Sequence, residues 1–177
     1  MTSASFINPE TSLRFGINQT FHDFNPGNLT ADENNPYIPK VSGSKAAKTV
    51  FYVNREHNIN ENWSWKIGAR MPIWTMQGPA VIYQFDSSYN VTDTLTFQEK
   101  DAIKTFVNLD PRLSLKYRIS KNASFKLSWG IYHQYLNLIS NSISPFTSFE
   151  IWMPSGTNIK PQRANQFAVG INKFLEK

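Results

Sequence analysis

The chain has 177 residues, a net charge of +5, no cysteine, and 14% aromatic against only 18% charged residues. At 40% hydrophobic residues it is not a disordered chain, and without cysteine it has no disulfide framework and no Cys-based metal site or nucleophile. Its basic residues are scattered singly, so no nucleic-acid partner is expected, and no run approaches the roughly 18 apolar residues of a transmembrane helix. The opening "MTSASFINPETS" has no basic stretch followed by an apolar one, so no signal peptide is expected there.

Six segments then alternate with a period of two, the signature of strands with one apolar face. The first, near 11–22, sets Leu13, Phe15, Ile17 and Phe21 against Ser12, Arg14, Gly16 and Asn18. A less regular one follows near 45–57. The third, near 63–74, opposes Trp63, Trp65, Ile67 and Met71 to Ser64, Lys66, Gly68 and Arg70. The fourth and fifth, near 105–119 and 123–138, contain "DPRLSLKYRISKNASFKLSWGIY", in which Leu113, Leu115, Leu127 and Trp129 alternate with Arg112, Ser114, Lys116, Lys126 and Ser128. The sixth, near 162–174, sets Phe167, Val169 and Ile171 against Gln166, Ala168 and Gly170. No helical periodicity competes with this pattern.

The connections differ in length. "NINEN" (Asn58–Asn62) and "SKNA" (Ser120–Ala123) are short, whereas Asp23–Ser44, Thr75–Lys104 and Ile139–Pro161 are long and rich in Pro, Gly, Asn and Ser. Long loops of this kind are uncommon in a compact soluble domain, while short turns at one end and long loops at the other suit an outer-membrane barrel. Trp63, Trp65, Tyr117, Phe125 and Phe174 fall near the short-turn end; Phe21, Trp74 and Tyr135 fall near the long-loop end. Two interfacial aromatic girdles would place them so. Arg14, Lys48, Lys66, Arg70, Asp110, Arg112, Lys116 and Lys126 all fall on the polar side of the alternation. Arg or Lys on a lipid face near the midplane costs about 2–4 kcal/mol. Arg55, His57 and Lys173 break the rule, but near the short-turn end, where that cost fades. A soluble β-sandwich with an aromatic core, for instance a carbohydrate-binding module, remains an alternative reading of the pattern, as does a small complete outer-membrane barrel.

Several stretches resemble a known family. "SGTNIKPQRANQFAVGI" (Ser155–Ile171) is similar to the segment of TonB-dependent outer-membrane receptors in which Asn-x-Lys-Pro-Glu/Gln closes an extracellular loop and opens a strand. "HQYLNLISNS" followed by "IWMPSGTNIKPQ" resembles Bacteroidetes members, "LDPRLSLKYRISKNASFKLSWG" their strand–turn–strand repeat, and "FHDFNPGNL" the start of one of their loops. The resemblance implies a transmembrane β-barrel in the bacterial outer membrane, a plug domain inside it, and a TonB protein that pulls on the plug to import a scarce nutrient such as a metal chelate, vitamin, glycan or peptide. With about six long strands and no plug segment or TonB box, residues 1–177 are expected to be one segment of the barrel wall, an all-β antiparallel meander forming an incomplete, open sheet. On this reading Leu13, Phe15, Ile67, Leu113, Leu115, Leu127, Trp129 and Val169 face outer-membrane lipid. Arg14, Lys66, Arg70, Asp110, Arg112 and Tyr132 face the lumen and the plug.

The sequence offers no catalytic constellation, and no cofactor or metal is expected. His22, His57 and His133 are far apart and read as isolated interfacial or loop histidines. Asp86, Asp93, Glu99 and Asp101 share a loop but lack calcium-loop spacing. Glu56 and Asp110 read as partners of lumenal Lys and Arg. Tyr37, Tyr83, Tyr89, Phe146 and Trp152 are loop aromatics that could cover a ligand or pack loop against loop.

Overall fold

The computed structural model describes residues 2–25, 43–141 and 149–173, which hold twelve strands and no helix. The strands are β1 (Thr2–Asn8), β2 (Thr11–Phe24), β3 (Ser44–Asn58), β4 (Trp63–Gln77), β5 (Ala80–Phe85), β6 (Val91–Phe97), β7 (Ala102–Val107), β8 (Asp110–Ser120), β9 (Ala123–Gln134), β10 (Leu136–Asn141), β11 (Phe149–Pro154) and β12 (Gln162–Lys173). The main sheet runs β1-β2-β3-β4-β8-β9-β12, with β7 continuing the β8 side along the upper part of β4. All its ladders are antiparallel, and the sheet is open, ending at β1 and β12. It is an all-β meander built on six long strands, β2, β3, β4, β8, β9 and β12.

Six short strands add detail that the alternation did not carry. The stretch expected to be the Thr75–Lys104 loop contains the β5–β6 hairpin, which pairs only with itself. The strand expected near 105–119 is interrupted between β7 and β8, where Asn108 donates its amide to Pro72 O. The one expected near 123–138 is interrupted at Tyr135, after which β10 leaves the main sheet to pair with β11. Tyr37, Phe146 and Phe174 lie outside the described residues.

One end of the sheet is made by tight turns whose chemistry is legible. Between β1 and β2, Glu10 donates its amide to the Asn8 side chain (3.1 Å). Between β3 and β4 the Asn60 carboxamide accepts from the amides of Asn62 (2.9 Å) and Trp63 (2.8 Å). Asn is favoured in such turns because its side chain imitates a backbone turn. Between β8 and β9 only Lys121 and Asn122 intervene.

The registers give the sheet its two faces. In the regular ladders of the main sheet, every opposed pair from β2 across to β12 joins two even-numbered or two odd-numbered residues: Arg14 with Asn54, Gly68 with Arg112, Leu113 with Trp129, Leu127 with Val169. Directly opposed residues share a face, so even-numbered side chains line one face and odd-numbered ones the other. The odd face is apolar and uncovered. Ile67 is 51% exposed, Phe167 67% and Val169 58%. Among the described residues no second layer packs on it, which removes the β-sandwich reading. The buried hydrophobic cluster, Ala46, Trp74 and Tyr135, lies instead at the long-loop end of the even face.

Candidate functional site on the polar face

The even face carries the charges. Arg14 and Arg112 stand in one transverse row, separated by Asn54 and by Gly68, where an added Cβ would run into the Asn54 side chain. One row toward the long loops, Arg70 opposes Asp110. One row toward the turns, Lys66 meets Glu56 at 3.8 Å, opposite Ser114 and Ser128. Below that, Lys116 and Lys126 oppose each other directly. All six residues expected to face a lumen (Arg14, Lys66, Arg70, Asp110, Arg112, Tyr132) are even-numbered and share this side. The eight expected to face lipid (Leu13, Phe15, Ile67, Leu113, Leu115, Leu127, Trp129, Val169) are odd-numbered and share the other.

Polar groups on the odd face pair among themselves. Trp129 Nε1 donates to Asn165 Oδ1 (2.7 Å), Thr75 and Thr105 hydroxyls meet at 3.1 Å, and Thr49 bonds Gln19. Arg55, on this face three residues from the end of β3, lays its guanidinium 5.6 Å over the Trp65 ring. Trp65 also contacts His57, whose Nδ1 meets the Thr11 hydroxyl at 2.8 Å. Trp63 packs on Tyr117 with ring centroids 4.4 Å apart, and Phe125 stands opposite Tyr117. These rings form an aromatic band on the apolar face at the short-turn end.

The long-loop end differs from the girdle that the sequence suggests. Phe21 stays on the apolar face, 76% exposed. Trp74 is even-numbered, fully buried, and stacked on Tyr135 (5.3 Å, 14° between planes). What covers it is backbone: at the end of β11 the segment Pro154–Gly156 lies over this face, and Trp74 Nε1 donates to Ser155 O (2.8 Å). Ser155 N donates to Tyr135 O (2.8 Å), and Asn137 Nδ2 to Ser155 Oγ (3.2 Å). A Cβ at Gly156 would strike the Met76 sulfur, so a larger residue there would have to displace the Met76 side chain. Asn108 Nδ2 donates to the Tyr135 hydroxyl (2.7 Å), Lys48 stands 5.3 Å from its ring centroid, and His22 packs between Phe24 and Trp74.

Two further expectations need correction. Asp110 is not held by an Arg: its carboxylate lies 2.6 Å from His133 Nδ1, and both are nearly buried. His133 is therefore not an isolated histidine. Strict alternation would send it to the apolar face. The β9–β12 register runs regularly through both residues, yet at this strand end Tyr132 stacks under the Arg112 guanidinium (4.6 Å) and His133 reaches Asp110. The four loop carboxylates serve local structure. Asp86 accepts from the amides of Ser88 (2.8 Å) and Asn90 (2.9 Å), Asp101 from Gln98 N (2.7 Å), and Asp93 from Thr94 N (2.8 Å). Glu99 meets Lys45 at 3.1 Å. The bond from the Asn90 backbone, above all, holds the Asp86 carboxyl below its usual range. No cluster of three His, Asp or Glu side chains suited to a metal occurs among the described residues.

Two segregated faces, tight turns at one end and an open antiparallel meander describe a stretch of barrel wall. Residues 3–177 match a family model described as "TonB dependent receptor-like, beta-barrel". The chain belongs to that family. No curated protein and no solved structure matches it. Members of the TonB-dependent receptor family are transmembrane β-barrels that act as receptors and transporters in the bacterial outer membrane. The match is to the family as a whole and does not resolve the Bacteroidetes resemblance.

Proposed function

We propose that this chain forms part of the wall of an outer-membrane receptor that imports a scarce nutrient (a metal chelate, vitamin, glycan or peptide). Its odd-numbered face meets lipid and its even-numbered face lines the interior. A plug domain fills that interior, and a TonB protein acts on the plug to supply energy from the inner membrane. The observation that carries this reading is the segregation of charge on the registers. Arg14, Lys66, Arg70, Asp110, Arg112, Lys116 and Lys126 share one face across the long strands, while the uncovered opposite face is apolar through its middle. In hydrocarbon every polar group needs a partner, and the polar groups of the apolar face supply one another through the Trp129–Asn165, Thr75–Thr105 and Thr49–Gln19 contacts.

Arginine substitution tests the assignment. Leu115→Arg or Leu127→Arg places a charge against lipid at a cost of about 2–4 kcal/mol and sharply lowers the amount of chain assembled in the outer membrane. Ser114→Arg and Ser128→Arg, one residue away on the other face, leave assembly near the unmodified level. Equal damage from both sets would contradict the reading.

A further inference from the structure

The apolar face carries a cation well inside its aromatic band. Arg55 opposes Leu13 and Ile67, one row inward of His57. It lies two rows inward of Trp63, Tyr117 and Phe125, which is about 13 Å along the strands. Its guanidinium reaches back one row toward the turns and lies 5.6 Å over the Trp65 ring. His57 packs on the same ring, and the buried Thr11 hydroxyl fixes His57 through Nδ1 (2.8 Å). Arg55 is exposed, and among the described residues no carboxylate lies within ion-pair distance of it. Away from the turns the same strands form an apolar groove of about 400 Å³. Ala69, the small member of the Phe15–Val53–Ala69 row, leaves room there between Phe15, Phe51, Val53, Met71 and Leu109. The groove begins in the row next to Arg55 and continues through the row beyond.

A guanidinium at the edge of hydrocarbon needs a partner, and its fork of donors matches the oxygens of a phosphate. We propose that Arg55 and His57 bind the phosphate of an anionic diacyl phospholipid, one acyl chain of which lies in the groove from Phe15 to Leu109. Two features select this occupant. A phosphate answers the cation that no carboxylate pairs, and a hydrocarbon chain joined to it answers an apolar groove that starts one row away. Free phosphate would satisfy only the first, and a plain hydrocarbon only the second. Short turns of outer-membrane barrels face the periplasm, so the lipid belongs to the periplasmic leaflet. The inference rests on the lipid-facing reading of the odd face proposed above.

The test places the intact protein carrying this chain, extracted from the outer membrane, in phosphatidylcholine vesicles. These contain a small fraction of phosphatidylglycerol with a diazirine midway along one acyl chain. After irradiation the adducts are mapped by peptide mass spectrometry. They should concentrate on Phe51–Val53 and Ala69–Met71, well above the level on Leu127–Trp129 and Phe167–Val169. Arg55→Gln should lower the β3 and β4 yield about tenfold, as for the loss of one charge-assisted hydrogen bond, and leave the β9 and β12 yield unchanged. Ala69→Phe fills the groove with Arg55 in place and should move the adducts off both segments. Unlabelled phosphatidylglycerol should compete, whereas inorganic phosphate in equal excess should not. Adducts spread evenly over the odd positions of β3, β4, β9 and β12 overturn the site and leave the lipid-facing reading standing. So does a β3 and β4 yield indifferent to Arg55→Gln, or competition by inorganic phosphate. Adducts mainly on even-numbered residues such as Ser114 and Ser128 would instead overturn the orientation itself.

Discussion

The two ends of this sheet treat their aromatic residues in opposite ways. At the short-turn end Trp63, Trp65, Tyr117 and Phe125 stay on the apolar face, partly exposed, with the Trp63 and Tyr117 rings packed together. At the long-loop end the chain folds back across the polar face, and Trp74 and Tyr135 are buried under the backbone of Pro154–Gly156. Equal height on a strand does not give a tryptophan an equal role. The face it points to decides whether it is an interfacial ring or the anchor of an inward-folded segment.

The contrast breaks most strongly at Trp74. Trp74→Ala removes a fully buried ring and the donor to Ser155, at a local cost of about 3–5 kcal/mol. Hydrogen exchange at the Ser155 amide, which bonds Tyr135 O, should accelerate markedly while amides of the Asn60 turn keep their rates. Trp63→Ala removes the same side chain from a site 38% exposed and forfeits the contact with Tyr117, worth about 0.5–1.5 kcal/mol. Acceleration near the turns as large as that at Ser155 would erase the distinction.

A smaller effect sharpens the comparison further out, in the β5–β6 hairpin. Asp86 has its carboxyl held below the ordinary range in the folded hairpin, chiefly by the Asn90 backbone amide. The ionised form therefore contributes order that is fully present above the unfolded carboxyl value and is lost as pH falls through the lowered one. Amide exchange at Ser88 and Asn90 should rise at that acid step, and Asp86→Ala should abolish the step. The short turn built on Asn60, which uses a neutral carboxamide, should show none.

The sequence was informative where a strand is long and its two sides meet different surroundings. Leu113, Leu115, Leu127 and Trp129 alternate so regularly with Arg112, Ser114, Lys116 and Ser128 that the face of each follows from its place in the pattern. What the pattern could not carry was contact across the sheet. The Asp110–His133 pair joins residues of opposite parity at a strand end, and the cover over Trp74 needs a segment 81 residues away. One signal was present: Trp74 has the opposite parity to Trp63 and Trp65 on the same strand, and so could not share their face. The short strands were hidden for a different reason. β5 and β6 pair only with each other, so no core imposes a strict polar–apolar alternation on them, and Val81, Tyr83, Phe85 and Val91 stand exposed.

The central claim is that the odd-numbered face is bathed in lipid. Nitroxide labels placed one at a time along β8 at Leu113, Ser114, Leu115, Lys116 and Tyr117, in the chain assembled in a bilayer, read it directly through collisions with dissolved oxygen. Labels at Leu113, Leu115 and Tyr117 should show high oxygen accessibility, with minima at Ser114 and Lys116 between them. Low oxygen accessibility at all three odd positions, as behind a second protein layer, would contradict the account.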